Sequence, residues 1–401
     1  MLYLIVIILL IWLSFRYDIH GKCDNQSCWY YTIMFIFVLV AGLRWRLGVD
    51  TPNYLYNFYH EYPTIDKLSI SYFSITDSPL FVLLNSVVKT CSGRFYWVQL
   101  FHSLVVNVLV FNFVKKKCKY FFTCILFYAL ICYTGYNMQI MRAAWSICIC
   151  LYANDYILRK KWIKGYSLYV LALLFHAQTL VWFLLPLFFF LRFNKLGVLA
   201  CFAAFLLGYI VMNLFGEYMF LLESDEGLQD KVAAYASSDK YGNQSGNINF
   251  FLVNIIPWLF YVIFSFIWTK RKYPNSDLIK FEPLIVLGVC FIFVRMNLEI
   301  AYRYVDYFKL YFCILFAECF ISIIKESTLL SKGCAYLKSL VFFLPLLLAI
   351  VVYPYFLGNL GFQYFPYSSI IERNVEKSRE LRYVEMNEHK SFYPRPNYNE
   401  Y

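Results

Sequence analysis

The feature that most constrains this chain is its division into apolar blocks of roughly 18–22 residues, separated by short basic clusters. A helix of that length crosses ~30 Å of hydrocarbon. Charged residues make up 15% of the chain, against about 25% in soluble domains. That leaves too little polar surface to face water on every side. Soluble enzymes, secreted disulfide scaffolds and free nucleic-acid binders are thereby excluded. The net charge of +11 sits in the clusters between blocks, where it encodes topology rather than affinity for nucleic acid.

The clusters are Arg16/Lys22, Lys115-Lys116-Lys117/Lys119, Arg159-Lys160-Lys161/Lys164, Arg192/Lys195, Lys270-Arg271-Lys272/Lys280 and Lys325/Lys332/Lys338. The positive-inside rule puts all six on the cytoplasmic side. Spans then read 1–16, 29–47, 95–114, 119–135, 140–158, 196–215, 249–269, 279–296, 302–324 and 336–354. The expected fold is all-α: a polytopic transmembrane helix bundle over 1–354 with about ten spans and both termini outside. Residues 1–16 lack a basic leader and a small-residue cleavage site, so they read as an uncleaved first span. Loops 48–94 and 216–248 would be external, the second carrying six acidic residues against Lys231 and Lys240. The segment 355–401 reads as a polar, Tyr/Pro-rich tail, flexible beyond Tyr367.

Two apolar stretches fall outside that count. Residues 166–191 lie between two cytoplasmic clusters, so the chain must enter the membrane and return. The helix from Lys164 to His176 reaches only ~18 Å. This predicts two short helices or a re-entrant hairpin, with its tip, Phe175-His176-Ala177-Gln178, held where protein or a wet cavity satisfies the backbone. Pro79 to Val88 is too short to span, and 79–90 is expected as an amphipathic helix on the outer interface. Most of the 13 cysteines fall inside apolar blocks, and neither CxxC nor a zinc spacing occurs, so they read as small hydrophobes and no metal is expected.

Ionisable side chains near membrane depth are costly unless paired or wet, which marks them as functional candidates. Four groups qualify, all toward the outer half. In Gly42-Leu43-Arg44-Trp45-Arg46-Leu47-Gly48-Val49-Asp50-Thr51, followed by Tyr54 and Phe58, two guanidiniums and a carboxylate end a span. A planar guanidinium binds phosphate bidentately and stays charged, which suits an anionic head group. The plainer alternative has Arg44 and Arg46 snorkelling, with Arg46 paired to Asp50. In Gln139-Ile140-Met141-Arg142, the arginine opens another span, as an anchor or a further cation. His176, at the forced break, is either a satisfied structural residue or a general base. Arg295, Glu299, Arg303, Asp306 and Lys309 would line one face if the turn between their two spans is helical. That ladder either neutralises itself or leaves Arg303 facing a cavity, with Glu299 and Asp306 orienting it. Glu318, deeper and alone, would hydrogen-bond within the bundle or reach the cytoplasmic side. There is no Walker loop, HExxH or GxSxG, and ATP-driven transport is not expected.

Several segments carry a further pattern: Gly42-Leu43-Arg44 with Gly48-Val49-Asp50, Tyr54 and Phe58; Met141-Arg142-Ala143; Leu171-Ala172-Leu173-Leu174-Phe175-His176-Ala177-Gln178; Arg303-Tyr304 with Tyr307-Phe308; and Pro366-Tyr367-Ser368. In this order, over nearly the whole chain, they resemble the EpsG family of Wzy-like exopolysaccharide and O-antigen polymerases. Gln178 stands where the family's Leu-Ala-x-x-Phe-His-x-Ser element has Ser. The resemblance implies a multi-pass glycosyltransferase of the bacterial cytoplasmic membrane with its site on the outer side. Its substrates would be undecaprenyl-diphosphate-linked oligosaccharide repeats, with a flippase and a chain-length regulator as partners and no cofactor. A diphosphate is already a good leaving group, so the site mainly needs cations for the developing charge. Arg44, Arg46, Arg142 and Arg303 are candidates for that, with Glu299, Asp306 and Gln178 in support. Asp50 and His176 compete as the base. Arginine can take a metal cation's part here, although Asp50 could also ligate a metal. A lipid-linked oligosaccharide flippase, an O-antigen ligase and a sugar O-acyltransferase are the alternatives. The outward bias of the charges and the lack of an internal repeat favour the polymerase over transport.

Overall fold

The computed structural model describes residues 2–48, 50–74, 78–218, 251–274, 276–298, 301–326, 332–349, 364 and 367–371. The 216–248 loop beyond Tyr218, Glu299, Val49, Pro366 and the tail after Ile371 therefore lie outside the described residues. Among those described, the chain is helical, with one isolated two-residue bridge and no named strand. The helices are α1 (Leu2–Leu13), α2 (Gln26–Gly42), α3 (Thr51–Tyr56), α4 (Pro79–Ser92), α5 (Tyr96–Lys117), α6 (Phe121–Ile131) and α7 (Met141–Leu158). They continue with α8 (Trp162–Phe175), α9 (Lys195–Tyr218), α10 (Ile256–Lys272), α11 (Glu282–Arg295), α12 (Tyr302–Val305), α13 (Lys309–Glu326) and α14 (Lys332–Leu347).

Leu2–Ile19, Tyr96–Lys117 and Phe251–Lys272 are long and apolar enough to cross a membrane, and several shorter helices are as apolar. Their outward faces are greasy at helical spacing: Leu4, Ile8 and Trp12 on α1, and Val198, Phe202, Leu206 and Ile210 on α9. Leu337, Val341, Leu344 and Leu348 repeat the pattern from α14 onward. Continuous exposed apolar stripes of this kind need lipid rather than water against them.

Two compact units emerge. The first draws its described residues from 1–116, 129–183 and 351–401, the second from 117–128 and 184–350. In the first, buried polar side chains tie the helices together. Tyr133 donates to the Phe37 carbonyl (2.6 Å), Ser103 to Val38 (2.9 Å), and Asn107 to the Asn137 side chain (2.7 Å). Tyr169 of α8 donates to Asn154 of α7 at 2.6 Å. Where lipid competes for apolar contact, such bonds supply the orientation that hydrophobic burial cannot.

The segment between Lys164 and Arg192 folds as a hairpin. α8 stops at Phe175, His176 is extended, and Ala177–Phe188 returns as a 3-10 helix with Pro186 inside it. Tyr166 and Tyr169 meet Phe183 with ring centres 5.9 and 5.6 Å apart, so the two arms run back along each other. At ~1.5 Å per residue in an α-helix and ~2.0 Å in a 3-10 helix, neither arm spans ~30 Å. α4 forms where an interfacial helix was expected, opened by Pro79 and closed by Gly93 at φ +65°.

In the second unit, basic and polar side chains meet three acids, two of them buried. Glu282, at the start of α11, accepts from the Phe193 backbone and from Lys270, both at 3.0 Å. Glu318 accepts from Ser276 at 2.9 Å, and Lys272 pairs with Glu326. The Arg295–Lys309 ladder does not form one helical face. The chain breaks after Arg295 and again at Asp306–Phe308, so three helices replace one, and among the described residues Asp306 pairs with Lys309 at 2.5 Å. Asn107→Ala should cost about 1–2 kcal/mol, read as a lower unfolding midpoint of the protein in detergent.

Candidate functional site

The site grows from two irregular stretches in the first unit. α2 stops at Gly42, where a Cβ would come within 2.9 Å of the Leu100 Cα, so only glycine lets α2 and α5 approach this closely. The loop after α2 presses on the wide turn Gly135–Gln139 just before α7. Gly48 has φ +107°, and a Cβ there would sit 2.3 Å from the Met138 carbonyl oxygen. Thr51 donates to Leu47 (2.7 Å) and Met138 (3.3 Å), pinning the loop's end to the turn.

The turn itself is held residue by residue. The Tyr136 carbonyl accepts from His102 Nε2 (3.0 Å), and the Asn137 side chain accepts from Asn107. Met138 receives Thr51, and Gln139 Oε1 accepts from the Tyr364 hydroxyl at 3.3 Å. Arg142 stands at the second residue of α7. Half-buried, it hydrogen-bonds the Tyr54 phenol and lies within electrostatic reach of Tyr62 and Asp50. Burial pushes the Tyr54 phenol up to about 12, so it stays neutral at physiological pH. Tyr54 and Tyr62 both rest on Phe81 of α4, at 5.8 and 6.4 Å. Three segments remote in sequence thus bring Asp50, Tyr54, Tyr62 and Arg142 together.

Arg44 is different. It is fully enclosed, at 0% exposure. Its guanidinium donates to the carbonyls of Leu47 (3.1 Å) and Ala41 (2.6 Å) and to Met141 Sδ (3.6 Å). None of these partners is a carboxylate. Tyr133, Tyr3, Tyr364 and Tyr367 lie within its electrostatic reach. Arg46, at φ +50°, sits over the Trp45 ring at 5.2 Å.

The hairpin tip is fixed to the first turns of α7. Trp145 stacks on Phe175 (4.8 Å, 15° between planes), and Ser146 hydrogen-bonds Thr179. His176 and Gln178, both half-buried, lie between those two anchors. The buried hydroxyl in this element belongs to Thr179, one residue beyond Gln178. In the second unit, Arg303 is half-buried on α12 beside Tyr304, whose ring stacks on Phe291 at 5.2 Å, and Asp306 is spoken for by Lys309.

Sequence reasoning passed over His102, Asn107, Tyr62 and Tyr364. For the first two a signal existed. Gln99, His102, Ser103 and Asn107 form a polar stripe at helical spacing along an apolar block, and all four are buried. Tyr62 and Tyr364 had none, because only the tertiary fold brings them in.

The helices and this buried polar centre define an integral membrane protein of all-α fold. The EpsG family matches residues 27–369, and the chain belongs to that family, whose members are Wzy-type polymerases. No curated protein and no solved structure matches it. Gly48→Ala should lower stability by roughly 2 kcal/mol or more, since it adds left-handed strain to a clash with a carbonyl. Unfolding in detergent would show it.

Proposed function

We propose that the protein polymerises undecaprenyl-diphosphate-linked oligosaccharide repeats into an exopolysaccharide, capsule or O-antigen at the outer face of the bacterial cytoplasmic membrane. The observation that carries this reading is the closeness of an enclosed guanidinium with no carboxylate partner among the described residues, Arg44, to the half-buried Arg142 just past Met141. A buried cation without a counter-charge is costly and favours an anion. Family membership supplies the class of chemistry.

In the reaction, an acceptor hydroxyl attacks the anomeric carbon of the growing chain. The bond to the lipid diphosphate breaks, and the hydroxyl proton passes to a base, Asp50 or His176. The lipid diphosphate departs with its charge stabilised by Arg44, Arg46 and Arg142. Tyr54 and Tyr62 offer ring faces and hydroxyls to a sugar. About ten spans, a re-entrant hairpin over 166–191 and α4 on the outer interface complete the arrangement. A flippase would deliver the repeats and a chain-length regulator would set their number.

Glycan length on a gel tests this. A deletion strain should lose its ladder to single repeats, and Arg142→Ala at normal protein levels should fail to restore it, consistent with a loss of ~10²-fold or more in rate. An unchanged ladder in the deletion strain, with no second polymerase present, would sink the reading. Single repeats accumulating inside the cell would instead indicate transport.

A further inference from the structure

The enclosure of Arg44 depends on a segment from the far end of the chain. Residues 367–371 return to the loop after α2 and lie antiparallel to it. The Trp45 N–H donates to the Ser368 carbonyl and the Ile370 N–H to the Leu43 carbonyl, both at 2.9 Å, with Arg44 facing Ser369. Tyr364, 1% exposed, reaches Gln139, and Tyr367 packs edge-on against Tyr3 at 5.8 Å. Tyr364 and Tyr367 are two of the four tyrosines around the Arg44 guanidinium. The tail was expected to be flexible beyond Tyr367, yet residues 368–370 pair with the backbone on either side of the most deeply buried cation described.

Two features of this contact are at odds with a permanent wall. Among the described residues its backbone bonds are two, a short pairing compared with a sheet strand of five or six residues. It also seals a charged side chain that has no carboxylate partner among the described residues, which the first unit would not favour unless an anion reaches Arg44 at some stage. We infer that Tyr364 with residues 367–371 forms a strap that must part from Leu43–Trp45 before a phosphate oxyanion can reach Arg44. This rests on the reading that Arg44 meets the substrate's diphosphate. With the strap down, Arg44 is bonded to carbonyls and shielded by phenols. With it lifted, the carbonyl bonds on the Ala41 and Leu47 side remain and the tyrosine side opens to the anion. Closure behind the bound diphosphate would then exclude water from the leaving group.

A reversible lock tests the strap. In Trp45→Cys/Ser368→Cys, the two new thiols flank the bridge on directly opposed residues. Oxidation by a soluble copper–phenanthroline complex should cross-link them, with mass spectrometry of the linking peptide as proof. Polymerisation by the cross-linked protein in membranes should fall at least about tenfold and return on addition of a thiol reductant, with both single variants active throughout. A second readout does not depend on activity. Phenylglyoxal, which modifies accessible guanidiniums, should label Arg44 faster in Ile370→Pro, which removes one strap bond, and more slowly in the locked protein than in wild type. Full polymerisation by the locked protein, or Arg44 labelling that is equal in all three, would overturn the strap. If instead Arg44→Ala polymerises normally, the diphosphate reading of Arg44 fails, whatever the lock shows.

Discussion

The first unit depends on one short, wide turn, Gly135–Gln139. Loosening the helical ladder leaves main-chain groups short of their usual partners, and in a membrane protein's interior there is no bulk water to replace them. Distant donors meet that need: His102 at Tyr136, Asn107 at Asn137, Thr51 at Met138 and Tyr364 at Gln139. Each bond is worth only about 1 kcal/mol net, but removing one leaves a buried acceptor unpaired at up to ~3 kcal/mol. The turn is therefore over-determined, and so is the start of α7 beyond it. Arg142 owes its place beside Asp50 and Tyr54 to contacts drawn from α5, from the loop after α2 and from the C-terminal segment.

The two arginines of this region do different physical work. Arg142 is half-buried and bonded to a phenol, with a carboxylate near it, so its charge is partly compensated and partly reachable. Arg44 is enclosed and bonded to dipoles alone. Carbonyl dipoles can hold a guanidinium in a fixed direction, but they do not repay its desolvation as a carboxylate would. The same bonds pull Ala41, Leu47 and Met141 toward one point, so Arg44 shapes the loop even when no anion is near. Substitution there would disturb geometry and charge at once, which makes Arg142 the cleaner probe of the charge itself.

Much of this architecture was legible in the sequence because membranes impose simple rules. Block length placed most of the helices, and the break at His176 followed from two basic clusters too close together for a full crossing. The pairing of Asp50 with Arg142 was not legible, because residues so far apart in the chain meet only through the turn at 135–139, whose carbonyl grip leaves no periodic trace. Gly48 shows the limit well. Its presence in the motif was plain, but its reason, a carbonyl 2.3 Å from where a Cβ would stand, belongs to the partner segment. The Arg295–Lys309 ladder misled because spacing presumes a continuous helix, and the chain breaks twice within it. The strap was hidden by composition: Tyr, Ser and Pro read as solvated tail, whereas phenols and main-chain bonds are what a buried guanidinium recruits.

The depth of the hairpin tip bears on which substrates suit the site. Trp145, which holds Phe175, lies four residues into a helix beginning at Met141, so the tip sits about one turn, ~6 Å, along α7 from its start. Under the proposed orientation that start is the outer end of a span, and His176 is therefore sunk below the surface rather than perched on it. A soluble sugar nucleotide would have to descend to reach it. A lipid-anchored diphosphate already holds its charged group at the boundary between head group and chain, the level at which the proposed orientation puts Arg142 at the start of α7. The short arms of the hairpin answer the same requirement. A full-length helix would carry residue 176 through the bilayer, whereas two truncated arms stop it partway along α7, with its neighbours Phe175 and Thr179 anchored to Trp145 and Ser146.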